Sequence, residues 1–196
     1  MFLYWFLRFF CLLLGKFFFH LETRGRKFIP RKGGFILVSN HASFLDPIIL
    51  GVVSSRVLSF AARDSLFRNK LFAALLSEIG VFPIKRWSAD LGAVKESLRR
   101  LRNNSGLAMF PEGTRSPNGE IQDITYGFVL LAHKAAVPIV PAWISGSKRA
   151  WGKGSMLIKP AKIKVVFGHP LHIEGRQDYA RIARDVFEQI RLLGTR

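Results

Sequence analysis

The chain has 196 residues, enough for one domain with a substantial core. Lys and Arg number 30 against 13 Asp and Glu, a net charge of +17, yet 49% of the residues are hydrophobic and 18 are Phe; that combination excludes a disordered tail. A basic surface draws polyanions, nucleic acid or anionic lipid, and the Phe content favours lipid, while the single cysteine, Cys11, excludes an internal disulfide and fits a reducing compartment.

The first element is the aromatic run 1–21. It lacks the basic leader and small-residue cleavage site of a signal peptide. Arg8 and Lys16 interrupt it well short of the ~18–20 apolar residues that a spanning helix needs. Wound as a helix at ~100° per residue, Arg8, Lys16 and His20 fall within an arc of about 120° that also holds Trp5. One polar stripe on an apolar cylinder predicts an amphipathic, membrane-associated helix lying in the bilayer surface, monotopic and on the cytoplasmic face. A core helix with snorkelling basic ends is the alternative. Residues 22–196 then read as a single α/β domain, without a repeat or a low-complexity linker.

The next run, 35–39, is a buried strand, followed by Asn40-His41-Ala42-Ser43-Phe44-Leu45-Asp46-Pro47. Asp46 as an N-cap, with Pro47 at the first helical position, predicts a helix over 47–53. A potential base and its orienting carboxylate thus share one strand-to-helix loop. Alone, this spacing is equally that of a satisfied loop histidine beside a helix cap. A strand over 57–61 and a helix over 65–79 follow, with Gly80 where that helix stops. The strand 81–84 ends in Lys85 and Arg86, cations at a sheet edge where ligands often sit. A helix is predicted over 88–103, with Gly106 as its stop signal.

The strand 107–110 runs into Phe110-Pro111-Glu112-Gly113-Thr114-Arg115-Ser116. Pro111 and Gly113 predict a turn. Arg115 offers a planar fork suited to phosphate, and Thr114 and the loop amides add donors. Glu112 repels phosphate; it suits substrate hydroxyls, or the orienting of Arg115 and the loop. On spacing alone, a surface turn with an internal Glu–Arg pair fits as well. A helix over 127–136 precedes Val137-Pro138-Ile139-Val140-Pro141, whose prolines predict an edge or irregular strand over 139–143. A strand over 163–167 and a helix over 179–193 complete the chain; Tyr179, Ile182, Val186, Ile190 and Leu193 share one helical face. Strands alternating with helices predict an α/β fold, a mixed and partly parallel sheet flanked by helices.

Together these blocks resemble the glycerolipid acyltransferase family, whose best-known members acylate 1-acylglycerol-3-phosphate. The family's Asn-His-x-Ser-x-x-Asp is matched by Asn40, His41, Ser43 and Asp46, and its third block by Phe110 to Ser116. Gly80 and Arg86 match the second block weakly, and the proline-rich strand resembles the fourth. Lys85 and Tyr126 depart from the family's usual acidic residue and lysine. The resemblance implies a seven-stranded α/β fold with a membrane-facing helical element. It implies acyl transfer from acyl-CoA or acyl carrier protein, as a co-substrate rather than a bound cofactor, to the free hydroxyl of a lysophosphatidate. His41 would be the general base and Asp46 its orienting partner. Arg86, Glu112, Gly113, Thr114 and Arg115 would hold the phosphate-bearing acceptor.

Other readings fare worse. There is no Gly-x-Ser-x-Gly elbow for a serine hydrolase, and the glycine–lysine spacing of 146–155 is wrong for a P-loop. No nucleic-acid-binding module accompanies the charge, so nucleic acid is not an expected partner. The five histidines are scattered, without metal-ligand spacing. Within the acyltransferase reading, another lysophospholipid or a lipid amine is the alternative acceptor.

Overall fold

A computed structural model describes residues 2–85, 90–115, 125–173, 175 and 178–195. Seven strands form one sheet: β1 (Glu22–Arg24), β2 (Phe35–Ser39), β3 (Leu58–Arg63), β4 (Val81–Ile84), β5 (Gly106–Met109), β6 (Ile139–Ser145) and β7 (Lys164–Phe167). Their order across the sheet is β1-β7-β6-β2-β5-β3-β4. Every neighbouring pair is parallel except β6 and β7. The sheet is therefore mixed and mostly parallel, as the alternation of strand and helix patterns predicts.

The helices are α1 (Phe2–Phe18), α2 (Asp46–Val53), α3 (Lys70–Glu78), α4 (Leu91–Arg102), α5 (Gly127–Ala135), α6 (Ser147–Trp151) and α7 (Tyr179–Gly194). Alternate residues of the central strands feed two separate cores, as the period of a strand requires. Phe35 and Leu37 of β2, with Val140 and Ala142 of β6, pack under Leu45, Ile49, Leu50 and Val53 at α2. Ile36 and Val38 face the other way, onto Leu101 of α4, Phe128 and Val129 of α5, and Val186, Phe187 and Ile190 of α7. The predicted stripe on the last helix is buried at Val186, Ile190 and Leu193, and Asp178 caps that helix by accepting from Ala180 N and Arg181 N.

Four expectations change. The proline-bracketed strand β6 is interior, lying between β2 and β7. Pro141 is tolerated because its missing N–H falls where β7 has just ended; its carbonyl still accepts from Gly168 N. Gly106 lies inside β5 instead of stopping a helix, and Asn104 takes the left-handed turn (φ 60°). A side chain at Gly106 would meet the Phe35 ring at 2.5 Å, so close strand packing demands the glycine. The helix expected over 65–79 is two pieces, a 3-10 turn at Asp64–Phe67 and then α3; Asn69 breaks them by capping α3, accepting from Phe72 N. The start of the helix expected over 88–103 lies outside the described residues.

The fourth change concerns α1. Its Arg8 is not on a solvent stripe: it is buried, and its guanidinium donates to the Ser54 carbonyl at the end of α2, which also accepts from Arg26 at 3.3 Å. A cation there complements the C-terminal end of the helix dipole. Tyr4, Arg8 and Gly15 form the buried stripe of α1, and His20 lies past the helix end with φ 43°. Apart from Lys16, the outer face of α1 is apolar and uncovered, with Trp5 52%, Phe9 63% and Phe17 74% exposed. Among the described residues, no helix is long and apolar enough to cross a membrane.

On the opposite face, Glu96 ties α4 to the sheet. It accepts from Arg99 and Arg100, and Arg100 in turn donates to Ser59 Oγ and the Gly80 carbonyl. The hydrogen bonds from Arg99, then those from Arg100, hold the Glu96 carboxyl down from its ordinary 4.5 to about 2. Its contribution is therefore present above pH 4.5 and lost as pH falls through about 2. Glu96→Gln should cost about 1 kcal/mol at pH 7, the upper end for a solvent-touched ion pair. Denaturant titrations of both proteins should show that difference shrinking as pH falls below 4.5.

Candidate active site

β2 and β5 are parallel neighbours, with Val38 opposite Met109. His41 lies three residues beyond the first and Glu112 three beyond the second, so the two loops leave the same sheet end side by side. The Glu112 carboxylate accepts from the His41 backbone N–H at 2.9 Å, which closes a bond across 71 positions of sequence. Glu112 is buried. The side chain that looked misplaced in an anion site is thus turned toward the protein and fastens one loop to the other.

Asp46 is the first residue of α2, and its carboxylate does not cap the helix: the cap position is Leu45. It turns back instead, and Oδ2 accepts from Ala42 N at 2.8 Å and Ser43 N at 2.7 Å and pairs with His41 Nδ1 at 2.9 Å. Asp46 is fully buried and His41 nearly so, at 14%. An oxygen that takes two amide N–H groups acts as an acceptor, so the proton between Oδ2 and the imidazole belongs to Nδ1. Nε2 then carries the lone pair. The imidazole face stacks on Phe110, with centroids 4.2 Å apart and planes 24° apart. Ring position, tautomer and tilt are all fixed from the protein side.

The loop is held from its other flank as well. Asn40 is buried and bridges to β6, donating to the Ile144 carbonyl at 3.0 Å and accepting from Ile144 N at 2.8 Å. Ser43 Oγ donates to the Trp151 carbonyl at 2.8 Å, and the same oxygen accepts from Phe44 N. The Phe44 and Trp151 rings lie 4.9 Å apart. Asn40 and Ser43 are thus scaffold in this geometry. Trp151 left no mark in the sequence, because its contact is made through a backbone carbonyl that any residue could supply.

Beyond Glu112, Gly113 adopts φ 65°, the left-handed conformation that turns the chain. Thr114 and Arg115 follow, both partly buried. The Arg115 guanidinium lies over the Phe44 ring, 3.3 Å from its centroid. A cation is thereby brought to the His41 loop from the neighbouring strand. Lys85 N donates to Asp90 Oδ2 at 2.8 Å at the end of β4; Arg86, the next residue, lies outside the described residues, as does Ser116. Burial raises the pKa of the Cys11 thiol, the wrong direction for a thiolate nucleophile.

Comparison with known proteins identifies the family and the fold. A family model described as Acyltransferase matches residues 20–145, more than half of the chain. The 1-acyl-sn-glycerol-3-phosphate acyltransferase of Bacillus subtilis (strain 168) is 30% identical over 163 residues, which cover 83% of this chain and 77% of that protein. The protein of that name from Limnanthes alba is 29% identical, over 85% of this chain but 62% of its own length. The crystal structure of the 1-acyl-sn-glycerophosphate acyltransferase from Thermotoga maritima superposes with a TM-score of 0.82 at 24% identity, over 98% of this chain and 80% of that one. That likeness carries the fold.

Asp46→Ala removes the acceptor of two amides, Ala42 N and Ser43 N, that are buried in the folded protein. Each orphaned donor costs about 1–3 kcal/mol, so unfolding free energy should fall by about 2–4 kcal/mol overall. Asp46→Asn keeps an acceptor oxygen and should lose clearly less. Equal losses in urea denaturation would mean that the amide contacts are not what holds this loop.

Proposed function

The chain belongs to the acyltransferase family, and on that premise we propose that it moves a fatty acyl group from an acyl thioester, acyl-CoA or acyl carrier protein, to the free hydroxyl of a lysophosphatidate-type acceptor. The observation that carries this reading is the imidazole fixed by Asp46 and Phe110 at the sheet end where Arg115 also arrives. The relatives named above act, by their names, on 1-acylglycerol-3-phosphate.

In the proposed reaction His41 Nε2 takes the proton of the acceptor hydroxyl as its oxygen attacks the thioester carbonyl. The new C–O bond forms, the C–S bond breaks, and the departing thiolate takes the proton from the imidazolium. Asp46 stabilises that imidazolium, as the carboxylate of a hydrolase triad does. No protein nucleophile is needed, because the substrate brings its own hydroxyl. Arg115 draws the acceptor phosphate with charge-assisted donors, with Thr114 and the turn at Gly113 beside it, and Arg86 is assigned the same task. Glu112 orients the His41 loop. Much of the acceleration then comes from positioning.

We further propose that α1 rests on an anionic bilayer at its cytoplasmic face, with the domain 22–196 behind it. The exposed Trp5, Phe6, Phe9, Phe10 and Phe17 support this, since burying apolar surface is worth about 25 cal/mol per Å². Lys16 is exposed near the inner end of the helix and adds attraction to anionic lipid.

His41→Ala should lower turnover by about 10²–10⁴-fold, the usual worth of a general base, in a protein that remains folded; near-normal turnover would remove the base assignment. Arg115→Ala should raise the acceptor KM about tenfold or more, the loss of one charge-assisted hydrogen bond, with the donor KM little changed. A rise in the donor KM instead would assign Arg115 to the carrier's phosphates.

Because Tyr4 and Arg8 belong to the core, the membrane reading is tested by outer-face substitutions, not by deletion. Phe6→Ser, Phe9→Ser and Phe17→Ser combined should release the protein from vesicles. The same variant should lose activity on vesicle-borne acceptor while keeping it on a short-chain soluble one. Equal loss on both acceptors would count against a membrane role for α1.

A further inference from the structure

The chain between α6 and β7 answers to nothing in the proposed reaction, yet its composition is lopsided. From Gly146 to Lys164 there are six cations, Lys148, Arg149, Lys153, Lys159, Lys162 and Lys164, and no Asp or Glu. Inside this stretch Met156, Leu157 and Ile158 stand exposed at 95%, 70% and 47%. Isolated exposed apolar residues are ordinary, but three in succession at a loop tip, flanked by lysines, are not. The tip is built rather than loose: Trp151 Nε1 donates to the Ser155 carbonyl, Ser155 Oγ donates to the Leu157 carbonyl, and Lys159 N donates to the Ala150 carbonyl.

Its location follows from the sheet. β7 and β1 run opposite to β2, β5 and β6, so both begin at the end where the His41 and Glu112 loops emerge. At its start the loop 152–162 adjoins the His41 loop, through Trp151 with Ser43 and Phe44. At its finish Ile163 N donates to the Phe19 carbonyl, just past α1. It therefore bridges the candidate catalytic loop and the end of the apolar helix.

We propose that residues 153–159 form a second lipid-docking element whose occupant is the surface of an anionic bilayer. Met156, Leu157 and Ile158 enter the acyl boundary, and Lys153 and Lys159 engage lipid phosphates at its edge. Neither lysine has an ion-pair partner among the described residues, whereas Lys162 is paired with Glu22 at 2.6 Å. The inference rests on the membrane reading of α1 above and adds a second point of contact. Once α1 is seated, the loop's encounter is intramolecular and needs little intrinsic affinity. Two contacts that flank the His41 loop orient it toward the bilayer, where one contact would leave the domain free to swing.

The test uses the full chain with Cys11→Ser and Leu157→Cys, labelled at 157 with an environment-sensitive fluorophore. Vesicles of phosphatidylcholine with phosphatidylglycerol are compared with phosphatidylcholine alone, and co-sedimentation is measured in parallel. A blue shift with the anionic vesicles is expected. In unlabelled protein, Lys153→Gln and Lys159→Gln should each weaken partition about fivefold at low salt, an effect that salt screens, without changing turnover of a short-chain soluble acceptor. Sedimentation with vesicles while the label stays water-like would overturn the loop proposal and leave the α1 reading standing. Failure to sediment would remove both. A blue shift that grows with protein concentration in the absence of vesicles would identify a second copy of the chain as the occupant and overturn the proposal.

Discussion

In the parallel pair β2–β5 the register Val38 opposite Met109 fixes where two loops start, and from that one alignment the candidate site assembles. Three residues beyond that pair on each chain, the His41 amide meets the Glu112 carboxylate. A register slip of one residue would turn each side chain of the strand to the other face. It would also part this bond, and it would move Phe110 off the imidazole. The two cores enforce the register, since Phe35 and Leu37 are committed to one side of the sheet and Ile36 and Val38 to the other. Packing at the middle of the sheet thus sets angstrom-scale geometry at its end.

Within that frame Asp46 does two jobs with one oxygen. Its bonds to Ala42 N and Ser43 N shape the loop, and its bond to Nδ1 sets the ring. A buried carboxylate is costly unless such donors surround it, and here the donors are the loop's own otherwise unpaired amides. The need to satisfy the loop offsets part of that cost, at Oδ2. Rigidity of the imidazole comes as a consequence, without a separate device. Asn40 and Trp151 brace the same loop from β6 and α6, so few degrees of freedom remain to be frozen when a substrate arrives.

Much of this was legible in the residues, for identifiable reasons. All six predicted strands overlap observed ones, because each is a short apolar run bounded by turn signals; β1, three polar residues at the sheet edge, carries no such signal. The pairing of His41 with Asp46 is local, five positions apart, so loop length alone brought them within reach. The bond from His41 to Glu112 spans 71 positions and depends on β2 and β5 being neighbours, a fact of topology that no local pattern carries. Pro141 misled for a related reason: a proline is excluded only where its missing N–H faces a continuing partner strand, and β7 stops just short of it. Arg8 misled because a helical wheel assumes that the polar side faces water. The carbonyl of Ser54 needed a donor, and the helix is turned so that its cation points inward.

That inversion alters the physical reading of the first helix. With Arg8 drawn into the protein, the outer face is almost purely apolar, and on the proposed reading Arg8 adds no electrostatic hold on a bilayer. Burial of Phe and Leu surface then supplies the proposed attachment, and that attraction is insensitive to salt. On that reading, charge able to respond to lipid composition lies on the acid-free stretch 146–164 beside the His41 loop, at Lys153 and Lys159. On the proposed reading the two roles are separated along the chain, an apolar element that gives residence and a basic one that gives orientation. A net charge of +17 spread evenly would attract any polyanion. On the proposed reading, the cations set beside an apolar tip discriminate, because only a lipid surface satisfies the lysines and the apolar side chains together.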